Sequence, residues 1–473
     1  MSLDHLRIPE DLWSHQDIRA ALAAHDIGAL FRLLTRHTGA SQTRIGAAVG
    51  LEQGYVSRII AGRKVTSIDV LERIADGCAM PDEARMTLGL APRQRSYRAD
   101  MADHRNTRHS DLPANRSWHE DVRAAAQLWE GDVNRRELLR QTVFSSAAYT
   151  LPALRWFTAA STQPVAQDGR RTIGQPDIDT IREMTATYRR LDNQHGGGHA
   201  RANVTRYLHH EVTPLMTEGR YDPATGRKLL AAVAELTQLA GWQAYDMAEH
   251  GLAQRYLTHA LDLARNADDA GLGAEILAAM SHQATYLGHT ATAVDLARAA
   301  KQAAQRAGIT VLTAEALVME AHAHAAARDE HSCATALHQA EHALDRADRS
   351  GDPQWLGYFD EAYLSAKFGH CFNALGQHRQ AERFAARSLH MDERYVRGKA
   401  FNLALLATSQ ARHGEPDRAS IIGGEALTLA TQLKSARAVR YIRDLQTDLM
   451  PYRRRPAVRH FITRIDATLG QRR

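Results

Sequence analysis

The sequence predicts an all-α protein, a bundle of five short helices near the amino-terminal end followed by a solenoid of helical hairpins. Three observations predict it. Aromatic residues make up 6% of the chain, and long Ala-, Leu-, Arg- and Glu-rich windows outweigh β-branched runs, a composition that favours helix over strand. Apolar residues between 10 and 90 recur at helical spacing in short segments punctuated by Gly, Ser and Pro. From about residue 225 a small-residue pattern returns at intervals of 38 to 45 positions, the mark of stacked hairpins.

At 473 residues the chain exceeds what one hydrophobic core holds, about 250 to 300 residues, so two or three domains are expected. A content of 44% hydrophobic and 24% charged residues is ordinary for a globular protein. The net charge of +5 suits a nucleic-acid partner, and its distribution says more: 28–95 carries ten Lys or Arg against six acids. Cys78, Cys333 and Cys371 lie far apart without a CxxC pair, so neither a disulfide framework nor a zinc ribbon can be built, and a reduced cytoplasm is the expected setting. No apolar run approaches the roughly 18 residues of a membrane span. The opening MSLDHLRIPEDLW carries early acids and no apolar segment, unlike a signal peptide. The twin arginines of 134–152 mimic an export signal but begin far inside the chain, where such signals do not act.

In chain order, 10–27 reads as a short helix with Ile18, Ala21 and Leu22 on one side, and 28–37 as the bundle's first helix through Leu30, Leu33 and Leu34. The stretch 41–64, SQTRIGAAVGLEQGYVSRIIAGRK, is the one around which the rest is organised. Ser41 caps a helix and leaves Gln42, Thr43 and Arg44 beside first-turn N–H groups, where a phosphate is favoured. Ile45, Ala48 and Val49 form its apolar stripe, Gly50 permits a tight turn, and Leu51 plugs that turn from the core side. A second helix over about 52–61 buries Val56, Ile59 and Ile60 and turns Gln53, Tyr55, Ser57 and Arg58 outward. Gln and Arg have the bidentate geometry for adenine and guanine edges, so this helix is expected to enter a DNA major groove. Gly54 lowers helix propensity there, and two readings stand: its missing side chain lets a sugar-phosphate approach closely, or the glycine is only tolerated. Gly62 ends the helix, and Arg63 and Lys64 set two cations where the DNA backbone passes. Ser67 then caps a helix carrying Ile68, Leu71, Ile74 and Ala75, and Pro81 opens a last one ending near Leu90.

At these residues the chain resembles the XRE/Cro-like helix-turn-helix regulators, over about 28–90. The resemblance implies an operator in double-stranded DNA and binding as a homodimer.

From 93 to 117 the periodicity disappears into Arg, His, Asp, Asn and Ser, which describes a solvated basic linker. Helical spacing resumes at 118–165 with Trp118, Val122, Leu128, Trp129, Leu138, Leu139, Leu154, Trp156 and Phe157. A polar gap reaches Pro176, and helices follow over 178–191 and 200–216. Between them stand Gly196, Gly197 and Gly198, with no preceding strand and no Gly-Lys-Ser/Thr, so they read as a flexible joint and not a phosphate loop. The division that results is 1–92 for the DNA-binding domain, 93–117 for the linker, 118–224 for a helical connecting region and 225–473 for the repeats.

The repeat pattern places a small residue seven positions before Ala-Leu or an equivalent pair. It occurs at Ala253/Ala260, Ala293/Ala300, Ala336/Ala343, Ala381/Ser388 and Ala419/Ala426, with another helical segment before each. Here, and in AGWQAYDMAEHGLAQRYLTHALDLA at 240–264, the chain resembles tetratricopeptide-repeat proteins joined to an XRE-type domain in actinobacterial regulators. That resemblance implies a concave groove that senses a peptide or small-molecule effector. Gln283, His322, Asn373 and Asn402, polar positions within apolar helices, are the candidate groove contacts.

His331, His338 and His342 share a helix face but lack a supporting carboxylate arrangement beyond Glu341, so a solvated face is expected and no metal. There is no HExxH, Walker A loop, GxSxG or GxGxxG, and His209-His210-Glu211 lacks zinc spacing. No catalytic residue, cofactor or membrane association is expected. The reading is a cytoplasmic, nucleoid-associated transcriptional regulator; the alternative is a repeat scaffold acting through a protein partner.

Overall fold

The computed structural model describes residues 8–9, 12–13, 15–24, 26–63, 65, 68–88, 90, 117–134, 143–158 and 165–470. The chain divides into two compact units, Met1–Asp111 and Leu112–Arg473. The first holds α1 (Gln16–Ala23), α2 (Ile27–Thr38), α3 (Gln42–Val49), α4 (Gln53–Ile60), α5 (Ile68–Gly77) and α6 (Asp82–Thr87). One core gathers Ile18 and Leu22 of α1 with Leu30, Phe31 and Leu34 of α2, Ile45 and Val49 of α3, Val56 and Ile59 of α4, and Ile74 of α5. Ile60, expected inside, is half-buried. Two glycines allow the close crossings: a Cβ on Gly28 would stand 2.6 Å from the Ile59 carbonyl, and one on Gly46 2.6 Å from that of Leu51.

The second unit opens with α7 (Trp118–Asn134) and α8 (Ala147–Thr158), then α9 (Gln175–His195), α10 (Arg201–Tyr207) and α11 (Thr213–Glu218). Between the last two the expected continuous helix widens into a π-turn at Leu208–Val212. Pro214 explains the break, since it has no N–H to return to the preceding turn, and Thr213 Oγ1 donates instead to the Leu208 carbonyl at 3.0 Å. In the polar gap, Arg171–Thr172 pairs in parallel with Gly219–Arg220, a short ladder that periodicity gave no sign of.

Six hairpins follow. Their inner helices are α12 (Pro223–Asp246), α14 (Ala270–Tyr286), α16 (Thr310–Ala326), α18 (Glu361–Ala374), α20 (Val396–Arg412) and α22 (Ala436–Leu449). Their outer helices are α13 (His250–Asn266), α15 (Thr290–Ala307), α17 (Glu330–Asp345), α19 (His378–Arg387), α21 (Pro416–Gln432) and α23 (Pro456–Leu469). The small residues of the repeat pattern fall on α13, α15, α17, α21 and the α19 segment, and all are buried, because two helices approach closely only where side chains are short. Inner helices such as α14 are buried nearly all round, which is why their apolar pattern lacks a clean polar face. The first five hairpin turns each place a residue at positive φ: Ala248, Gly288, Arg328, Gly376 and Gly414.

The Gly196–Gly198 joint is tightly packed, contrary to the flexible joint expected. Lys434 N donates to the His195 carbonyl at 2.8 Å, and Gly198 N donates to the Lys434 carbonyl at 2.9 Å. A Cβ on Gly197 would lie 2.8 Å from Asp246 Cβ and 2.9 Å from the Gln243 carbonyl, so no side chain fits. Beneath it, Asp246 accepts from Gly197 N and Ser435 Oγ, both at 2.9 Å. Arg397 lies 2.6 Å from Asp192 and 3.8 Å from Asp246. The start of the array is thereby tied to its last hairpin.

Replacing Arg397 with Met leaves Asp192 and Asp246 buried without their cation, a loss of about 3–5 kcal/mol in denaturant unfolding near neutral pH. Burial first, opposed by Arg397 and assisted by Asp246, pushes the Asp192 carboxyl up to about 6. In the parent, therefore, the folded state binds the extra proton between about pH 4 and 6, and the cost of the bare carboxylate lifts as pH falls. The gap between variant and parent should narrow from pH 7.5 to pH 5.

Candidate nucleic-acid interface

The interface is built from α3, its turn and α4. Ser41 is the N-cap of α3, its Oγ accepting from Arg44 N at 3.2 Å, so Gln42 and Thr43 keep first-turn N–H groups outside the helix's own bonding. The turn is closed by Gly50 at φ +66° and by Leu51 N donating to the Gly46 carbonyl at 2.8 Å. Glu52 then starts α4 in extended conformation. Val56 and Ile59 are fully buried, while Gln53, Gly54, Ser57 and Arg58 are exposed and Tyr55 is half-buried. That periodicity turns one polar edge of α4 to solvent.

Tyr55 neither projects alone nor merely packs on the domain edge. Arg63 lies 4.8 Å and Arg58 5.6 Å from its ring centroid, so two guanidiniums rest against one aromatic ring. Thr43, Arg44 and Arg63 are exposed. Lys64 and the Ser67 cap lie outside the described residues, as do 93–116, Leu138 and Leu139.

Three of the cations counted in the sequence have structural work. Arg32 Nη1 donates to the Ile60 carbonyl at 2.6 Å, holding the last turn of α4 onto α2. Arg73 Nη1 donates to the Gly50 carbonyl at 3.3 Å, and Arg85 pairs with Asp76 at 2.7 Å. Charge counting missed this, since no sequence pattern distinguishes an arginine that caps a distant carbonyl from one that meets phosphate.

The four groove positions separate. His322 and Asn402 line a cavity of about 250 Å³ on the inner face of the repeats, where all six inner helices contribute. Gln283 does not reach it: it accepts from Tyr149 Oη and donates to the His250 carbonyl at 2.9 Å, fastening α8 to the array. Asn373 bonds His378 Nδ1 at 3.0 Å across a hairpin turn. The cavity's charged members, among them Glu275, Glu315, Lys367 and Arg437, were missed; the available signal was an ionisable residue inside an otherwise apolar inner helix. His331, His338 and His342 are all exposed. Among the described residues, no helix is long and apolar enough to cross a membrane.

Residues 26–88 match the family model described as a helix-turn-helix domain, the span from α2 to α6. The amino-terminal unit thus contains a helix-turn-helix domain. No curated protein matches the chain.

A Cβ at Gly54 would enter open space. Gly54→Ala should therefore slow amide exchange in α4 by about 0.5 kcal/mol of local stability. A simultaneous loss of DNA affinity marks close approach of a sugar-phosphate; unchanged affinity marks Gly54 as merely tolerated.

Proposed function

We propose that this protein is a sequence-specific DNA-binding transcriptional regulator of the XRE type, acting at the nucleoid in the cytoplasm. The observation that carries the reading is the exposed ridge of Gln53, Ser57 and Arg58 with the Tyr55–Arg63 stack, on a helix whose opposite face is locked into a helix-turn-helix core. In this reading α4 enters the major groove, Gln53 and Arg58 contact base edges, and Ser41, Gln42, Thr43, Arg44, Arg63 and Lys64 meet phosphates. A domain of this size makes few base contacts, so it works as a homodimer on a roughly two-fold operator. The hairpin array is a tetratricopeptide-like sensor whose bound effector favours one spacing of the two recognition helices.

Selection of bound sequences from random DNA, followed by variant binding, tests this. Arg58→Ala and Gln53→Ala should each cost about 1–3 kcal/mol on the selected site and relax preference at one position. Arg63→Ala should weaken selected and unrelated DNA alike and reduce the salt slope by about 1. Equal binding by parent and the Arg58 and Gln53 variants removes the assigned face.

A further inference from the structure

The cavity inside the repeats buries two cations that no carboxylate meets in an ion pair among the described residues. Arg437, in the first turn of α22, is 3% exposed. Four rings surround its guanidinium, with centroids at 4.3 Å (Tyr245), 4.9 Å (Phe401), 5.6 Å (Tyr286) and 5.7 Å (Trp242). Its side chain hydrogen-bonds Tyr441, while Nε and Nη1 have no partner among the described residues. Lys367 of α18 is 6% exposed and lies over the Tyr363 ring at 5.2 Å. Burial, then Arg437, lowers its amine to about 7. Neither cation forms an ion pair among the described residues. Asp246, the carboxylate acting on Arg437, is already bonded to Gly197 and Ser435.

The neighbouring imidazoles bring no negative charge. His282, His322 and His370 follow one another across the floor, ring centroids 6.0 and 5.8 Å apart, and burial before any other cause holds all three low, His370 at about 3. Elsewhere on the wall stands a pair of carboxyls. Tyr358 Oη, from the segment between α17 and α18, contacts Glu275 at 2.9 Å and Glu315 at 2.6 Å. Burial raises both carboxyls, and Glu315 Oε2 lacks a partner among the described residues. Trp242, Trp355, Phe401 and Met319 supply flat or pliable apolar wall. Buried charges and buried polar atoms persist where something compensates them, and here a bound molecule would.

We propose that this cavity binds a small organic carboxylate with a flat apolar body, its carboxylate held by Arg437 and Lys367 and a polar group elsewhere on it by Glu315. The planar guanidinium suits a carboxylate's two oxygens. A cavity of about 250 Å³ has room for a small ring-bearing molecule. The inference rests on reading the repeat unit as the sensor.

Calorimetry on the full chain tests it with benzoate, salicylate, phenylacetate and indole-3-acetate, each beside its primary amide. At least one acid should bind with a Kd below about 1 mM and about tenfold more tightly than its amide, and Arg437→Met and Lys367→Met should each lose about tenfold. Unliganded Lys367→Met should melt at or above the parent's temperature, because an apolar side chain replaces an amine whose charged form burial disfavours. Amides that match their acids, an Arg437→Met variant that binds as the parent does, a Lys367→Met variant that melts well below the parent, or no acid binding up to about 10 mM would each overturn the proposal. Operator affinity with and without the acid separates the two readings. An acid that binds without changing DNA affinity keeps the site and removes the sensor role; a peptide that releases DNA while no acid binds does the reverse.

Discussion

The second unit depends on Arg397. Helical-hairpin arrays are quasi-one-dimensional, each pair touching its neighbours, and nothing in that rule fixes how far apart the ends lie. Here Arg397 of α20 reaches Asp192 of α9 and Asp246 of α12, and Asp246 reaches Ser435 before α22. Residues nearly 250 positions apart thus share one buried ionic cluster. The glycines at 196–198 are a consequence: the backbone must come close enough for Lys434 to bond across. With the ends joined, all six inner helices line one partly open cavity.

The same closure explains why ionisable groups inside the array stand so far from their usual behaviour. Lys367, His370 and Glu315 sit on inner helices buried on nearly every side, so desolvation leads the causes acting on each. Exposed positions show the opposite regime. Arg440 on α22 and Arg394 just before α20 pair with carboxylates in water, where an ion pair contributes little to stability.

The sequence made the helices and the recognition turn legible because both follow from local rules: Ser41 before a periodic stretch, Gly50 between two of them, and short side chains wherever hairpins pack. Tertiary partners escaped it. Gln283 reads as a polar residue in an apolar helix, and only the fold shows that Tyr149, far earlier in the chain, donates to it. The triplet at 196–198 looks flexible in isolation and becomes rigid because Lys434 lies against it. Arg32 and Arg73 entered the sequence reading only as part of a charge count, and the fold shows each donating to a backbone carbonyl.

The stack of Arg58, Tyr55 and Arg63 bears on how the amino-terminal unit meets a partner. A long cation on a bare surface samples many rotamers and forfeits that freedom on association, about 0.5–1.5 kcal/mol for each side chain immobilised. Resting on one phenol ring, both guanidiniums have surrendered part of that freedom beforehand. Tyr55 thus acts as a template that lowers the entropic toll of holding both cations in place.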